Sequence, residues 1–239
     1  MDRNTLSAGA SLVVAVICAF AAPLQMRAQD PKTPYPSMAP LDQYLMADRN
    51  AEIALARTAA PPSISGDATV MVLGRHGYET AVKGKNGFAC IVERAWTGAF
   101  DSPEFWNPKN RSPLCFNPQA ARSVLPLTLK RTELVLAGLS KAQIIDGIKK
   151  AFQNKELSAP EPGGMTYMMS KQGRLNDRAG HWVPHLMFYV PVTDNMTWGA
   201  DMPGSPVLTN PHFNGAPEPV TEFMVPVSEW SDGTPADAH

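Results

Sequence analysis

The chain has 239 residues, with 21 Lys and Arg against 22 Asp and Glu, for a formal net charge of −1 at pH 7. Charged residues make up only 18% and form no like-charge block, so the basic footprint of a nucleic-acid binder is missing. At 44% hydrophobic residues the chain supports a sizeable core, and its 23 prolines, bunched within 31–40 and 203–219, mark loops rather than disorder.

Residues 1–28 read as a secretory signal. Arg3 precedes an apolar run over 8–22 that Pro23 breaks. A run of about 15 residues is short of the ~20 that span a bilayer, and it matches a signal core, with cleavage expected near Ala28. Cys18 follows Ile17, where lipid attachment needs a small residue. The processed protein is therefore expected to be periplasmic or secreted, with no stable membrane span.

Residues 29–66 are expected to be a Pro-rich leader and one helix over 41–57, with Pro40 at its first turn and Pro61-Pro62 beyond its end. A single domain is expected over 67–239. It opens with strands over 68–73, 78–82 and 88–96. The turn Gly74-Arg75-His76-Gly77 joins the first two. Asn86-Gly87, a strong hairpin signal, joins the second and third. Residues 97–118 read as a long aromatic loop with Phe100, Phe105, Trp106 and Phe116, and loops of that length are usually functional or mobile. Asn117-Pro118 caps a helix running to about 137 with a break at Pro126. Ser140 to Gln143 forms a capping box for the next helix, whose buried stripe is Ile144, Ile145, Ile148 and Phe152. Strands follow over 165–169, 186–190 and 221–227, with a long loop over 193–219. The order predicts an α+β domain: an antiparallel sheet of about six strands with helices gathered mainly on one face.

The segments Gly74-Arg75-His76-Gly77-Tyr78, Asn86-Gly87-Phe88 through Glu93-Arg94, Phe105-Trp106-Asn107-Pro108, Cys115-Phe116-Asn117-Pro118 and Pro184 through Tyr189 resemble an uncharacterised family of exported bacterial proteins. The resemblance runs from Asp67 to about Pro206. It implies secretion and a shared fold, and it carries no activity.

The stretch 180–191 is the focus of the chemistry, since it holds His181, His185, Trp182 and the run into a buried strand. His181 and His185 have the spacing of a metal pair on a helix. Pro184 between them favours extended backbone, which separates them by roughly 13 Å and removes the shared ion. Gly138-Leu139-Ser140-Lys141-Ala142 lacks the preceding strand of a nucleophile elbow, so Ser140 is read as a helix cap. Met165, Met168, Met169, Met187 and Met224 are read as core filler rather than as copper ligands. No cofactor motif is present. Cys90 and Cys115, which remain after signal removal, are expected to pair in an oxidising compartment. A crevice for a small ligand or a protein partner is expected between the aromatic loop (Trp106, Phe116) and the entry to the fifth strand (His181, Trp182, His185). Arg75 and His76 would close one end. The alternative is a hydrolase using His76, His181 or His185, which requires them to converge on an acidic partner.

Overall fold

Alternation on the strands decides which side chains meet. Along Ala89-Cys90-Ile91-Val92 every residue is buried, the pattern of a strand covered on both faces. The computed structural model describes residues 34–177, 182–214 and 217–236. The expected signal segment and His181 lie outside the described residues. Residues Pro31–His239 form one compact unit.

The strands are β1 (Thr69–Gly74), β2 (Gly77–Val82), β3 (Ala89–Glu93), β4 (Ser112–Phe116), β5 (Met165–Met168), β6 (His185–Pro191), β7 (Leu208–Asn214) and β8 (Val220–Pro226). They form one sheet of eight strands in the order β2-β1-β3-β4-β5-β6-β8-β7. The helices are α1 (Arg49–Arg57), α2 (Pro62–Ser65), α3 (Pro118–Ser123), α4 (Leu125–Leu136) and α5 (Lys141–Gln153). The α+β class holds, and the sheet is larger than six strands and mixed.

Three expectations are corrected. The Asn86-Gly87 turn does not join a hairpin: β2 pairs only with β1, and β3 lies on the other side of β1 and runs parallel to it. The chain crosses the start of β1, where Lys85 and Asn86 donate to the Asp67 carbonyl and Gly84 donates to Thr69 Oγ1. The approach is so close that a Cβ on Gly84 would fall 2.1 Å from the Thr69 nitrogen. Burial favours this order, because β2 is half-exposed whereas β3 is apolar on both faces. Second, the end of the aromatic loop is a central strand, β4. Pro113 is tolerated there because β5 pairs with β4 only at Cys115 and Phe116, leaving Pro113 beyond that ladder. Third, β7 forms inside the expected 193–219 loop, as an edge strand with an irregular register against β8.

The helix signals are local and hold. The Asn117 side chain accepts from Ala120 N, and Ser140 with Gln143 makes both bonds of a capping box. The first helix is shorter than expected: Asp48 caps it, and 41–43 is a separate 3-10 turn.

Helices cover both faces, where the sequence predicts them mainly on one. Ala56 of α1, with Ala59 and Ala60 just beyond it, packs on Val70, Cys90, Val92 and Cys115, small side chains that admit a close approach. On the other face α3 and α4 bring Ala120, Val124 and Leu125 against Ile91, Leu114, Phe116, Met187 and Tyr189, and α5 packs on α4. Cys90 and Cys115 form a disulfide between adjacent strands β3 and β4, on the α1 face. It pins two neighbouring strands of the sheet to each other. For a separation of 25 residues the chain-entropy model gives about 3 kcal/mol of stabilisation.

Candidate functional site

A cavity of about 410 Å³ lies between the sheet and α4. Its apolar wall includes Leu114, Phe116, Val124, Leu127, Met187 and Met224, and its polar end gathers Glu93, Thr128, Arg131, Asn210, Glu218 and Glu222. The polar residues come from both ends of the sheet. Glu93 closes β3, Glu222 sits within β8, and Glu218 lies two residues before β8. β4, β5 and β6 separate β3 from β8. A flat sheet would hold those strands about 19 Å apart.

One face of α4 reaches both. Thr128 and Arg131 are three residues apart and therefore on the same side of the helix. Thr128 Oγ1 donates to Glu93 at 3.1 Å, and Arg131 Nε donates to Glu218 at 2.5 Å. Arg131 Nη1 also donates to the carbonyls of Thr97 and Gly98 at 2.8 and 2.7 Å, in the turn after β3. The sheet thus curls around α4, and the carboxyls of β3 and β8 influence each other's charge. The guanidinium stacks over the Phe100 ring at 4.3 Å.

Burial dominates the acid–base character of this end. It raises Glu93 to about 6, against the opposing effect of hydrogen bonds from Thr97 and Thr128 and of the Arg131 charge. It raises Glu222 to about 7. There the Asn210 amide and Arg131 oppose the rise, and the negative charges of Glu93 and Glu218 add to it. Glu222 accepts a bond from Asn210 at 2.8 Å. Glu218 is 2% exposed, and its Oε2 has no donor among the described residues. Among the described residues no three His, Cys, Asp or Glu side chains are grouped to hold a metal ion.

The anticipated crevice residues divide. Phe116, Trp182 and His185 line the cavity. Trp182 is partly exposed and lies 4.7 Å, centroid to centroid, from the His185 ring. His185 is buried, and its Nδ1 lies 2.8 Å from the Val183 carbonyl. Burial lowers its pKa, partly opposed by that hydrogen bond, so the ring is held neutral. Trp106 is elsewhere, packed with Tyr44, Trp96, Val135 and Ile148, and its carbonyl accepts from the Tyr44 hydroxyl at 2.7 Å. Arg75 and His76 stand exposed on the β1–β2 turn, with Arg75 paired to Asp42. His76 and His185 are not brought together, and His181 lies outside the described residues. Glu93, Arg131, Glu218 and Glu222 were missed from sequence. One signal was present: Glu222 shares strand parity with Val220 and Met224, an acid on an otherwise apolar row.

Comparisons with protein-family models, with curated proteins and with solved structures found no match. Among the described residues no helix is long and apolar enough to cross a membrane.

Proposed function

We propose that this protein is an exported binding protein that holds a small amphipathic molecule between its curled sheet and α4. The observation that carries this reading is the cavity itself. At about 410 Å³ it falls within the roughly 300–1,000 Å³ of small-molecule sites, with apolar side chains along its walls and its three carboxyls gathered at one end. The walls take the apolar body of the ligand, and the α4 end takes its polar group. Export rests on the signal-like residues 1–28 and the resemblance to exported proteins. The Cys90–Cys115 bond supports it, because disulfides persist in oxidising compartments.

Ligand-observed NMR with a panel of phenyl-bearing fragments tests the reading. Wild-type protein is expected to bind several of them. Leu127→Trp places a large ring in the cavity from a half-buried position, and it is expected to abolish binding while circular dichroism and melting stay close to wild type. Fragment binding that survives in a folded Leu127→Trp protein would overturn the assignment of the cavity.

A further inference from the structure

Three carboxyls and one guanidinium converge at the polar end. Arg131 commits Nε to Glu218 and Nη1 to backbone carbonyls of the turn after β3. Its charge answers Glu218 directly. Among the described residues Glu93 receives neutral donors, the hydroxyls of Thr97 and Thr128 at 3.0 and 3.1 Å. Glu222 likewise receives a neutral amide, from Asn210. Arg94 also borders the cavity, but its guanidinium is spent on Glu52 across the other face of the sheet. Among the described residues two carboxyls thus face the cavity without a cation hydrogen-bonded to them, and the buried Oε2 of Glu218 has no donor.

A buried carboxylate without a counter-charge is costly and is relieved by a proton or by a cation. The oxygens in this cluster need donors and positive charge. Anionic ligands would add repulsion at the same place. Uncharged alcohols would supply hydrogen bonds but no compensating charge.

We propose that the ligand of this cavity carries a protonated amine on an apolar body, with the ammonium among Glu93, Glu218 and Glu222. This rests on the cavity being a binding site and names the class of molecule that it takes. The three N–H donors of a primary ammonium match three carboxyls, Glu93 from β3 and Glu218 and Glu222 from β8 and the residues just before it. Phe116, Leu127 and Met187 flank the apolar body. The titratable groups facing this end are Glu93 on β3, Arg131 on α4, Tyr189 on β6, and Glu218 and Glu222 at β8. Tyr189 is raised well above its ordinary value by burial and stays neutral. A cation and a proton therefore compete for the same carboxyls.

Isothermal titration with 2-phenylethylammonium, 2-phenylethanol and phenylacetate tests the assignment. The ammonium is expected to bind about tenfold or more tightly than the alcohol, and phenylacetate weakest of the three. Ammonium affinity is expected to rise between pH 5 and pH 8, while that of the alcohol stays flat. Glu222→Gln and Glu93→Gln should each reduce ammonium affinity about tenfold and spare the alcohol. The pH profile on unaltered protein carries the test if either variant fails to fold. Equal affinity for ammonium and alcohol, or a preference for phenylacetate, overturns the charge assignment and leaves the cavity standing. Binding of none of the three overturns the cavity reading and this inference with it.

Discussion

Glu93 and Arg94 are neighbours in sequence and point to opposite faces of the sheet, and their surroundings differ in kind. Arg94 is fully buried and answered. Its Nη2 donates to Glu52 at 2.9 Å, its Nε to the Tyr44 carbonyl at 2.7 Å, and its Nη1 to the Val92 carbonyl. Glu52 also accepts from Leu73 N, so the pair clamps α1 and the 41–43 turn to the sheet. Glu93 faces the cavity and, among the described residues, is hydrogen-bonded by hydroxyls and not by a cation. On the α1 face a buried charge is consumed by structure. On the α4 face buried charges are left with capacity to spare, beside an empty volume. That contrast separates a structural ion pair from a recognition site when burial alone does not.

The comparison breaks most easily at Glu52. Glu52→Ala leaves the Arg94 guanidinium buried without its carboxylate, and such losses cost about 3–5 kcal/mol. Urea unfolding is expected to show a loss of that order. A variant nearly as stable as wild type would mean that the clamp is not structural, and the contrast would fail.

A smaller effect is expected on the cavity face, and it has the opposite sign at neutral pH. Burial puts the folded Glu222 carboxyl at about 7 against an ordinary 4.5. Between those values the folded protein retains a proton that the unfolded chain has lost. The contribution is therefore fully present below about pH 4.5 and is lost as pH rises through about 7. Glu93, raised to about 6, acts in the same direction over a narrower window. Glu222→Gln removes the larger dependence. Unfolding free energies from urea titrations across pH 4.5 to 8 should fall less steeply in the variant, by on the order of 2 kcal/mol over the range. Parallel slopes for wild type and variant would show that Glu222 is not held protonated by burial.

The smallest effect sharpens the boundary of the site. Arg75 pairs with Asp42 where both side chains are mostly exposed, on a turn remote from the cavity lining. Exposed pairs contribute little. Arg75→Ala is expected to leave the melting temperature and the binding of 2-phenylethylammonium unchanged. A clear loss of binding would move the site toward the β1–β2 turn, where sequence had placed one of its ends.

Sequence by itself determined what depends on near neighbours. Asn117, Ser140 and Gln143 cap helices because a cap bonds to backbone only a few residues away. The apolar runs at β1, β3, β6 and β8 announced strands, but the order of elements pointed to helices mainly on one face and did not announce that both are covered. The cysteines were legible as a pair because the third, Cys18, lies in the stretch expected to be a signal. Tertiary structure decided what depends on partners distant in the chain. Pro113 hid β4, since whether its missing N–H matters depends on where β5 stops. Asn86-Gly87 offers a turn, but the partner of β3 was chosen by burial on β1 rather than by the turn. Phe116, Trp182 and His185 could be picked out as bulky residues near a strand entry. Glu93, Glu218 and Arg131 could not, because each looks alone like a solvated charge, and Glu222 carried only the signal of an acid on an apolar row. Only the curl of the sheet around α4 brings strands β3 and β8 within reach of one helix face, and curvature is a property of the whole ladder that no local stretch encodes.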